Sequence, residues 1–396
     1  MVGAFLSVIT GYLIGSISPS YILGKVCKGI DIREEGEGNA GTINAFRVLG
    51  PVPAIITALF DVSKGLISAF LAHLFGVSYP YNLLIAYSAV IGHMFPFYLG
   101  FRGGQGEATS MGVLLYFLFR FSIIKPDFHM ALLVFVFFLL VVLYITKFSR
   151  ILGLFVLPVL TVFLIVHASL PEALVVVLFF LHIFGTSLYN RIRTGYRLSE
   201  NTRTKIKWSR FIARPFAVLY IVIYFLTSRN FIIYLTGGVA LFFFLFDIVR
   251  LSKSGINRAI MKTLQFAMKS GEEKTFSSMT HFTVSAFLSF LLFPREIACA
   301  SILFPVFGDM FAKLMGLEYG RTKLFEKSLE GTLAYFAFGN VVGYVYSAVT
   351  GFPFSLILVG AAAGAISEAL PWRLDDNLSG TLSSALTMFY VAKWFM

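Results

Sequence analysis

The sequence predicts an all-α, polytopic integral membrane protein with about fourteen transmembrane or re-entrant helices in two bundles. Of its 396 residues, 58% are hydrophobic and only 13% are charged, whereas soluble domains carry about 25% charged residues. Helices are expected because backbone polar groups in lipid must be paired within their own segment. The clearest uncharged apolar runs recur along the whole chain, at residues 131–146, 151–167, 173–187, 231–246 and 352–366.

The excess of basic residues is also consistent with a membrane protein. The formal charge is +12, but the basic residues are scattered in short connectors, so we expect attraction to the anionic headgroups of a phospholipid bilayer and no nucleic acid. We therefore predict a multi-pass protein of the cell membrane with its active-site loops on the cytoplasmic side. The first apolar run leads into Lys25 and a polar loop, which favours a membrane segment over a cleaved leader.

Two polar stretches interrupt the apolar runs. The basic connector at residues 190–214 divides the chain into predicted domains 1–200 and 201–396. In residues 250–274, basic side chains alternate with apolar ones at roughly helical spacing. This pattern suggests an amphipathic interfacial helix, with a solvated connector as the equally open alternative. The basic residues of that stretch include Lys253, Arg258, Lys262 and Lys269.

The first half contains two glycine-rich polar loops, at residues 29–47 and 92–110. Glycines let backbone N–H groups approach an anion, and amide and guanidinium side chains add donors. We therefore predict that these loops form a phosphate site. The alternative is that they are only tight connections between membrane helices. For His93, a packing or helix-capping role is equally open. The predicted glycerol-phosphate or anion-binding residues are Asn39, Asn44, Arg47, His93, Arg102, Gly103, Gly104, Asn190 and Arg193.

Ordered motifs in this half resemble a known family. Residues 1 to about 200 resemble the acyl-phosphate-dependent glycerol-3-phosphate acyltransferases, seven-span enzymes that make lysophosphatidate. The resemblance is carried by residues 11–16, 29–50, 61–65 and 92–109. It implies glycerol 3-phosphate and an acyl phosphate as substrates.

Three positions depart from the motifs of that family. Glu37 stands at the serine of G-S-G-N, Gln105 at the second lysine of F-K-G-G-K-G, and Ser187 at the histidine of H-R-x-N-I-x-R. A carboxylate repels phosphate, an amide supplies no cation, and a serine is a poor substitute for an imidazole base. Active acyl transfer, a changed substrate and a non-catalytic scaffold therefore remain open for this half.

The second half gathers acidic and basic residues at the ends of apolar runs. Asp309 closes one run, Glu368 ends another, and residues 375–377 read Asp-Asp-Asn. Carboxylates with a neighbouring amide suit Mg²⁺, and the basic loop at residues 320–332 suits a polyphosphate. An ordinary charged loop at the membrane interface is the alternative.

This half resembles the CTP-dependent lipid-alcohol kinases of dolichol, phytol and diacylglycerol, from about residue 205 to residue 396. The motifs lie at residues 308–309, 327–334, 368–371 and 375–378, while residues 210–214 depart from the R-K-x-x-H pattern. The resemblance implies transfer of the γ-phosphate of CTP to a lipid alcohol, with Mg²⁺ bridging the phosphates. The roles it suggests are catalytic for Asp309, Glu330 and Asp376, CTP-binding for Arg321, Lys323, Lys327, Gly331 and Thr332, and metal-binding for Asp309, Asp375, Asp376 and Asn377.

Two other functions fit some of these features. Phosphatidate cytidylyltransferases use the same nucleotide, and a lipid-phosphate transporter would also have many spans and basic loops. Transporters place polar groups near the midplane of broken helices, whereas these motifs lie mostly at helix ends, which favours an enzyme.

Overall fold

The computed structural model describes residues 2–147, 152–193, 198–264, 268, 271–371 and 374–395. These residues fold almost entirely into α-helices, which confirms the prediction of an all-α polytopic membrane protein. Within the described residues, nine helices are long and apolar enough to cross a bilayer, and four shorter apolar helices accompany them.

The chain divides into two compact units, Met1–Leu132 with Gly153–Tyr196 and Leu133–Leu152 with Arg197–Met396. The predicted boundary at residue 200 stays a prediction, and residues 194–197 of its connector lie outside the described residues. The helices of the first half of the chain are α1 (Val2–Ser16), α2 (Pro19–Lys28), α3 (Thr42–Leu49), α4 (Pro51–Leu74), α5 (Tyr81–Met94), α6 (Glu107–Ile124), α7 (Phe128–Thr146), α8 (Leu152–His167) and α9 (Leu170–Arg193).

The second half adds eleven helices and one small hairpin within the described residues. The helices are α10 (Glu200–Lys205), α11 (Trp208–Ala213), α12 (Val218–Leu226), α13 (Arg229–Ser252), α14 (Ser254–Thr263), α15 (Ser278–Leu292), α16 (Arg295–Leu303), α17 (Asp309–Tyr319), α18 (Leu329–Thr350), α19 (Phe354–Ala369) and α20 (Asp376–Phe395). Strands β1 (Lys323–Leu324) and β2 (Lys327–Ser328) pair antiparallel. Short 3₁₀ turns lie at Ile32–Glu34, Phe97–Leu99 and Arg214–Ala217, and a π-helical turn at Phe304–Gly308.

Small residues set the packing of the first unit. A Cβ atom added at Gly15 would lie 2.1 Å from the carbonyl oxygen of Ala89, and one at Gly92 would lie 2.2 Å from that of Tyr12. Glycine is therefore required for the close approach of α1 and α5, as is common between membrane helices. This contact fixes the end of α5, from which the second glycine-rich loop starts.

The core of the second unit surrounds Phe304 and Tyr335, both fully buried. The π-helical turn Phe304–Gly308 runs directly into Asp309 at the start of α17. A Cβ atom at Gly308 would lie 2.9 Å from the ring of Tyr335. The turn and the glycine therefore position Asp309 beside the packed core, and π-helical turns are frequent at functional sites.

The predicted interfacial helix corresponds to α14, Ser254–Thr263. None of its residues is buried, and Arg258 and Lys262 lie within it. Lys253 precedes it, and Lys269 lies outside the described residues. The helix is present, while its place at a membrane interface stays a prediction.

A buried ion pair joins α13 to the segment that follows α14. Arg250 and Asp247 are both 0% exposed, and their closest nitrogen and oxygen lie 2.8 Å apart. The Arg250 guanidinium also donates to the carbonyls of Glu272 and Thr275 at 2.6 and 2.7 Å. The Asp247 carboxylate accepts the N–H of Ser277 at 2.6 Å. One buried cation therefore fixes the backbone of residues 271–277.

We expect Arg250→Met to destabilise the protein by about 3–5 kcal/mol, because it leaves Asp247 buried without its cation. Thermal unfolding of the detergent-solubilised protein measures the loss. Lys253→Met, at an exposed position three residues later, is the matched control and should leave the melting temperature nearly unchanged. Equal melting temperatures for the two variants would contradict the role assigned to Arg250.

Candidate functional site

Asn44 organises the first glycine-rich loop. Its side chain is 0% exposed, and its amide oxygen accepts the N–H of Glu37 at 2.7 Å. Its amide nitrogen donates to the carbonyls of Ile32, Glu35 and Asn39 at 2.8, 3.1 and 2.8 Å. The amide is thus used within the loop, and the anion-binding role predicted for Asn44 stays a prediction.

An ion pair in the same loop links it to the second loop. The carboxylate of Asp31 accepts two hydrogen bonds from the Arg33 side chain, at 2.9 and 2.6 Å. The hydrogen bonds from Arg33 lower the pKa of Asp31 to about 2. Arg33 also donates to the carbonyl of Leu99 at 2.5 Å, and the N–H of Ala40 to that of Gly103 at 3.4 Å. The two predicted phosphate loops therefore lie side by side.

His93 belongs to a buried charged cluster that holds the second loop. Lys64 Nζ lies 2.7 Å from a carboxylate oxygen of Asp61 and 2.5 Å from His93 Nδ1. The three side chains are at most 5% exposed. A Cβ atom at Gly104 would lie 2.0 Å from His93 Nε2, so only glycine fits against the imidazole. Asp61 and Lys64 were not predicted as site residues, although opposite charges three residues apart in an apolar helix are a usable signal.

Two further pairs involve the predicted anion-binding residues. Arg47 lies 2.6 Å from the carboxylate of Glu37. The amides of Gln105 and Asn190 exchange two hydrogen bonds, at 2.9 and 2.7 Å. The structure thus brings both loops and the end of α9 together. Of the remaining predicted residues, Asn39 accepts the N–H of Gly41, Gly103 lies against the end of α5, and Arg102 and Arg193 are exposed.

The second unit contains a cluster of three carboxylates. Oxygens of Asp309, Glu368 and Asp376 lie within 4.8 Å of one another. Lys327 Nζ donates to Glu368 at 2.7 Å and to Asp376 at 2.8 Å. Arg214 forms an ion pair with Asp309. Helices from three parts of the sequence and the hairpin therefore converge on one acidic site.

The charge state of this cluster follows from its contacts. Burial alone would lower the pKa of Lys327, but the carboxylates of Glu368 and Asp376 outweigh it and raise that pKa above its ordinary value. Lys327 is thus a stable cation between two acids. Within the described part of the chain, Glu368 Oε2 is buried and has no hydrogen-bond partner, which leaves it available to a cation. Glu368 was noted in the sequence but not predicted as a metal ligand.

Glu330 and Arg321 stabilise the hairpin region. The Glu330 carboxylate, 1% exposed, accepts the N–H groups of Arg321 and Thr322 at 3.1 and 3.2 Å. The Arg321 guanidinium donates to the carbonyls of Tyr144 and Ile145, both at 3.0 Å. Glu330 is not a member of the three-carboxylate cluster, and its catalytic role stays a prediction.

The other predicted nucleotide and metal residues lie around the same region. Lys323 is exposed on β1, and Gly331 and Thr332 lie in the first turn of α18. Asp375 accepts two hydrogen bonds from Asn377, one from its backbone N–H at 3.0 Å and one from its side chain at 2.9 Å. These last two residues therefore shape the start of α20.

Two cavities of the second unit share Arg214, the ion-pair partner of Asp309, and Ser278 in their walls. The larger, about 770 Å³, is lined by four lysines, Lys205, Lys207, Lys274 and Lys313, and also by His281 and Glu272. The second, about 580 Å³, has mostly apolar walls, among them Phe216, Leu219, Ile223 and Phe282. Asp375 lines the basic cavity and Asn377 the apolar one.

Similarity to known proteins covers the first half of the chain. The family described as glycerol-3-phosphate acyltransferase matches residues 5–195. The chain is 37% identical over 207 residues to the glycerol-3-phosphate acyltransferase of Bacillus velezensis and covers 97% of that protein and 51% of its own length. Through its first half, the chain belongs to this acyltransferase family.

Other relatives match more locally. The glycerol-3-phosphate acyltransferases of Shouchella clausii and Chlorobaculum parvum are 50% and 48% identical over 121 and 124 residues, about 30% and 28% of this chain. The chain spans 59% and 53% of their lengths. One similar solved structure is the glycerol 3-phosphate form of PlsY, an integral membrane glycerol 3-phosphate acyltransferase. It is 28% identical to this chain and has a TM-score of 0.37. The match covers 50% of this chain and 96% of that one.

The acyltransferase-like resemblance predicted from the motifs is therefore confirmed for residues 5–195. The family relationship makes the convergence of residues 29–47, residues 92–110 and the end of α9 the candidate site of this half. The resemblance of the second half to CTP-dependent kinases stays a prediction.

The Asp31–Arg33 pair predicts a pH dependence of stability in the acyltransferase-like half. Because folding lowers the pKa of Asp31 from its ordinary value of 3.8 to about 2, the pair stabilises the fold above about pH 4. That stability, about 1–2 kcal/mol, is lost as the pH falls from about 4 to about 2. Melting temperatures measured across this range should fall less steeply for Asp31→Asn than for the unaltered chain.

Glu34→Gln removes an exposed acid of the same loop and is the control for this measurement. It should reproduce the pH profile of the unaltered chain. Identical profiles for Asp31→Asn and the unaltered chain would show that the pair does not link the loops as described.

Proposed function

We propose that the second half transfers the γ-phosphate of CTP to the hydroxyl of a membrane lipid alcohol of the polyprenol, phytol or diacylglycerol type. The observation that carries this proposal is the convergence of Asp309, Glu368 and Asp376. Arg214, the ion-pair partner of Asp309, lines both a cavity rich in lysines and an apolar cavity. Phosphoryl transfer requires groups that neutralise polyphosphate charge next to a place for the acceptor. The sequence resemblance to CTP-dependent kinases supplies the identity of the nucleotide.

The donor set fits a magnesium ion. Asp309, Glu368 and Asp376 offer hard carboxylate oxygens, the ligands that Mg²⁺ prefers, and one buried Glu368 oxygen lacks a partner among the described residues. When bound, Mg²⁺ would neutralise charge that develops on the transferred phosphate. Asp375 and Asn377, also predicted as ligands, bind each other and support the start of α20.

The basic cavity suits the triphosphate. Lys205 and Lys274 are exposed side chains in its wall, and Arg214 is shared with the apolar cavity. Their charges would hold the phosphates next to the carboxylates by charge-assisted hydrogen bonds. Lys327, kept cationic by Glu368 and Asp376, would complete the clamp. Arg321, also predicted for this task, donates to the carbonyls of Tyr144 and Ile145 in the last turn of α7, and its part in nucleotide binding stays a prediction.

The apolar cavity suits the lipid acceptor. Phe216, Leu219 and Ile223 would contact its hydrocarbon part, and Asn377 lies in the same wall directly after Asp376. We propose that an acceptor hydroxyl in this cavity would lie near the start of α20 and that Asp376 would take its proton. Glu330, the other predicted base, accepts the backbone N–H groups of Arg321 and Thr322. We propose that these loops face the cytoplasm, where CTP is found.

Asp309→Asn should abolish CTP consumption while the protein still folds, because it removes one carboxylate charge and little volume. The purified full chain is given CTP labelled on its γ-phosphate with diacylglycerol, polyprenol or phytol separately, and the label is followed into lipid. Glu326→Gln, at an exposed acid of the hairpin, is the matched control and should retain turnover.

The position of the label separates the alternatives. Phosphate on a lipid supports the kinase, whereas cytidine nucleotide on a lipid, followed with a base-labelled CTP, would mean a cytidylyltransferase. Full turnover by Asp309→Asn, or movement of lipid phosphate without CTP consumption, would refute the kinase assignment.

For the first half, we propose acyl transfer from an acyl phosphate to glycerol 3-phosphate. The supporting observation is that residues 29–47, residues 92–110 and Asn190 converge in the half that belongs to the acyltransferase family. Basic groups at this site, Arg47 and Arg102, suit a phosphate ester. The glycerol-3-phosphate acyltransferase of Bacillus velezensis, of which the chain covers 97% at 37% identity, supports this proposal.

The full chain carrying Asp309→Asn isolates this activity from the proposed kinase. Given acyl phosphate and glycerol 3-phosphate, it should form lysophosphatidate, and Arg47→Ala should lower kcat/KM by about tenfold or more because it removes a cation from the phosphate site. Absence of lysophosphatidate would favour a scaffold role for the first half.

A further inference from the structure

We propose that Glu37 and Gln105 are specificity-determining residues of the first half, because each holds one predicted phosphate-binding group in an internal pair. A phosphate ester must break these pairs to reach Arg47 and Asn190. The inference rests on the proposed binding of glycerol 3-phosphate by this half. It adds that Glu37 and Gln105 set the affinity for this ligand.

The first pair is set by the loop around Glu37. Its carboxylate lies 2.6 Å from the Arg47 guanidinium. Both neighbouring glycines, Gly36 and Gly38, have positive φ angles of 59° and 74°, and the N–H of Glu37 is bound by the buried Asn44. The backbone at position 37 is therefore fixed, and the carboxylate at that position meets Arg47.

The second pair is fixed at the Gln105 end. Gln105 and Asn190 exchange two amide hydrogen bonds, at 2.9 and 2.7 Å. The backbone carbonyl of Gln105 lies 2.9 Å from His182 Nε2, and Gly106, which follows it, has a φ of 75°. Gln105 thus accepts one N–H of the Asn190 amide and donates to its oxygen.

Both pairs lower the affinity of the site for a phosphate ester. Glu37 neutralises Arg47 and repels a dianion, and Gln105 occupies an amide without supplying a cation. The side chains of Glu37 and Arg47 are 35% and 49% exposed, and exposed ion pairs are weak. A ligand of sufficient charge therefore displaces the Glu37–Arg47 pair, so this pair lowers the affinity for the ligand and does not block the site.

The test measures the dissociation constant of labelled glycerol 3-phosphate for the full chain by equilibrium dialysis. Glu37→Gln and Glu37→Ser should each tighten binding by about three- to tenfold, since both remove the competing charge. Gln105→Lys should tighten it further, and the gain should shrink at high ionic strength because exposed charges are screened. Gln105→Ala removes the pair with Asn190 without adding a cation. It should therefore tighten glycerol 3-phosphate binding less than Gln105→Lys does.

Glu34→Gln, which removes another exposed acid of the same loop, is the matched control and should leave the dissociation constant within about twofold. Binding that is unchanged or weaker in both Glu37 variants would overturn the inference, as would no binding by any variant. The variant that combines Glu37→Ser with Gln105→Lys separates the two proposals. If it binds glycerol 3-phosphate more tightly but forms no lysophosphatidate, the inference is supported and acyl transfer is overturned as the function of this half.

Discussion

Charged groups in an apolar protein must find their partners inside the fold, and this constraint shapes both units. Asp61 with Lys64, Asp247 with Arg250, and Lys327 with Glu368 each bring opposite charges within 2.8 Å. A buried ion without a partner would cost several kcal/mol. Each pair therefore fixes more than its own two side chains: the second glycine-rich loop, the segment at residues 271–277, and the junction of the hairpin with α19 depend on them.

The two units use the same kind of pairing to different effect. In the first unit, Arg47 and Asn190 are matched by Glu37 and Gln105, so the groups that suit a phosphate already have internal partners. In the second unit, three clustered carboxylates are met by Lys327 and Arg214, and one oxygen of Glu368 is left without a partner among the described residues. The first arrangement weakens attraction for an anion, whereas the second retains attraction for a cation.

Glycine has two separate tasks in this chain. At Gly15 and Gly92 it lets helix backbones approach closely, and at Gly104 it makes room for the buried imidazole of His93. At Gly36, Gly38 and Gly106 it supplies the left-handed backbone that fixes Glu37 and Gln105. The glycine-rich loops thus act less as flexible cradles than as rigid turns whose neighbouring side chains set the charge of the site.

The amino-acid sequence alone determined the fold class and the family of the first half, because apolar runs of membrane length and ordered motifs are local properties of the chain. It also located Asp309, Asp376 and Lys327, since charges at the ends of apolar helices are visible without coordinates. It did not identify Glu368 as their companion, or Lys64 and Asp61 as companions of His93. It likewise missed the pairs of Glu37 with Arg47 and of Gln105 with Asn190, and the use of Glu330 and Arg321 to hold the hairpin. Gln105 and Asn190 are 85 positions apart, and Arg321 is 177 positions from Tyr144, so only the packing of the helices decides which polar groups meet.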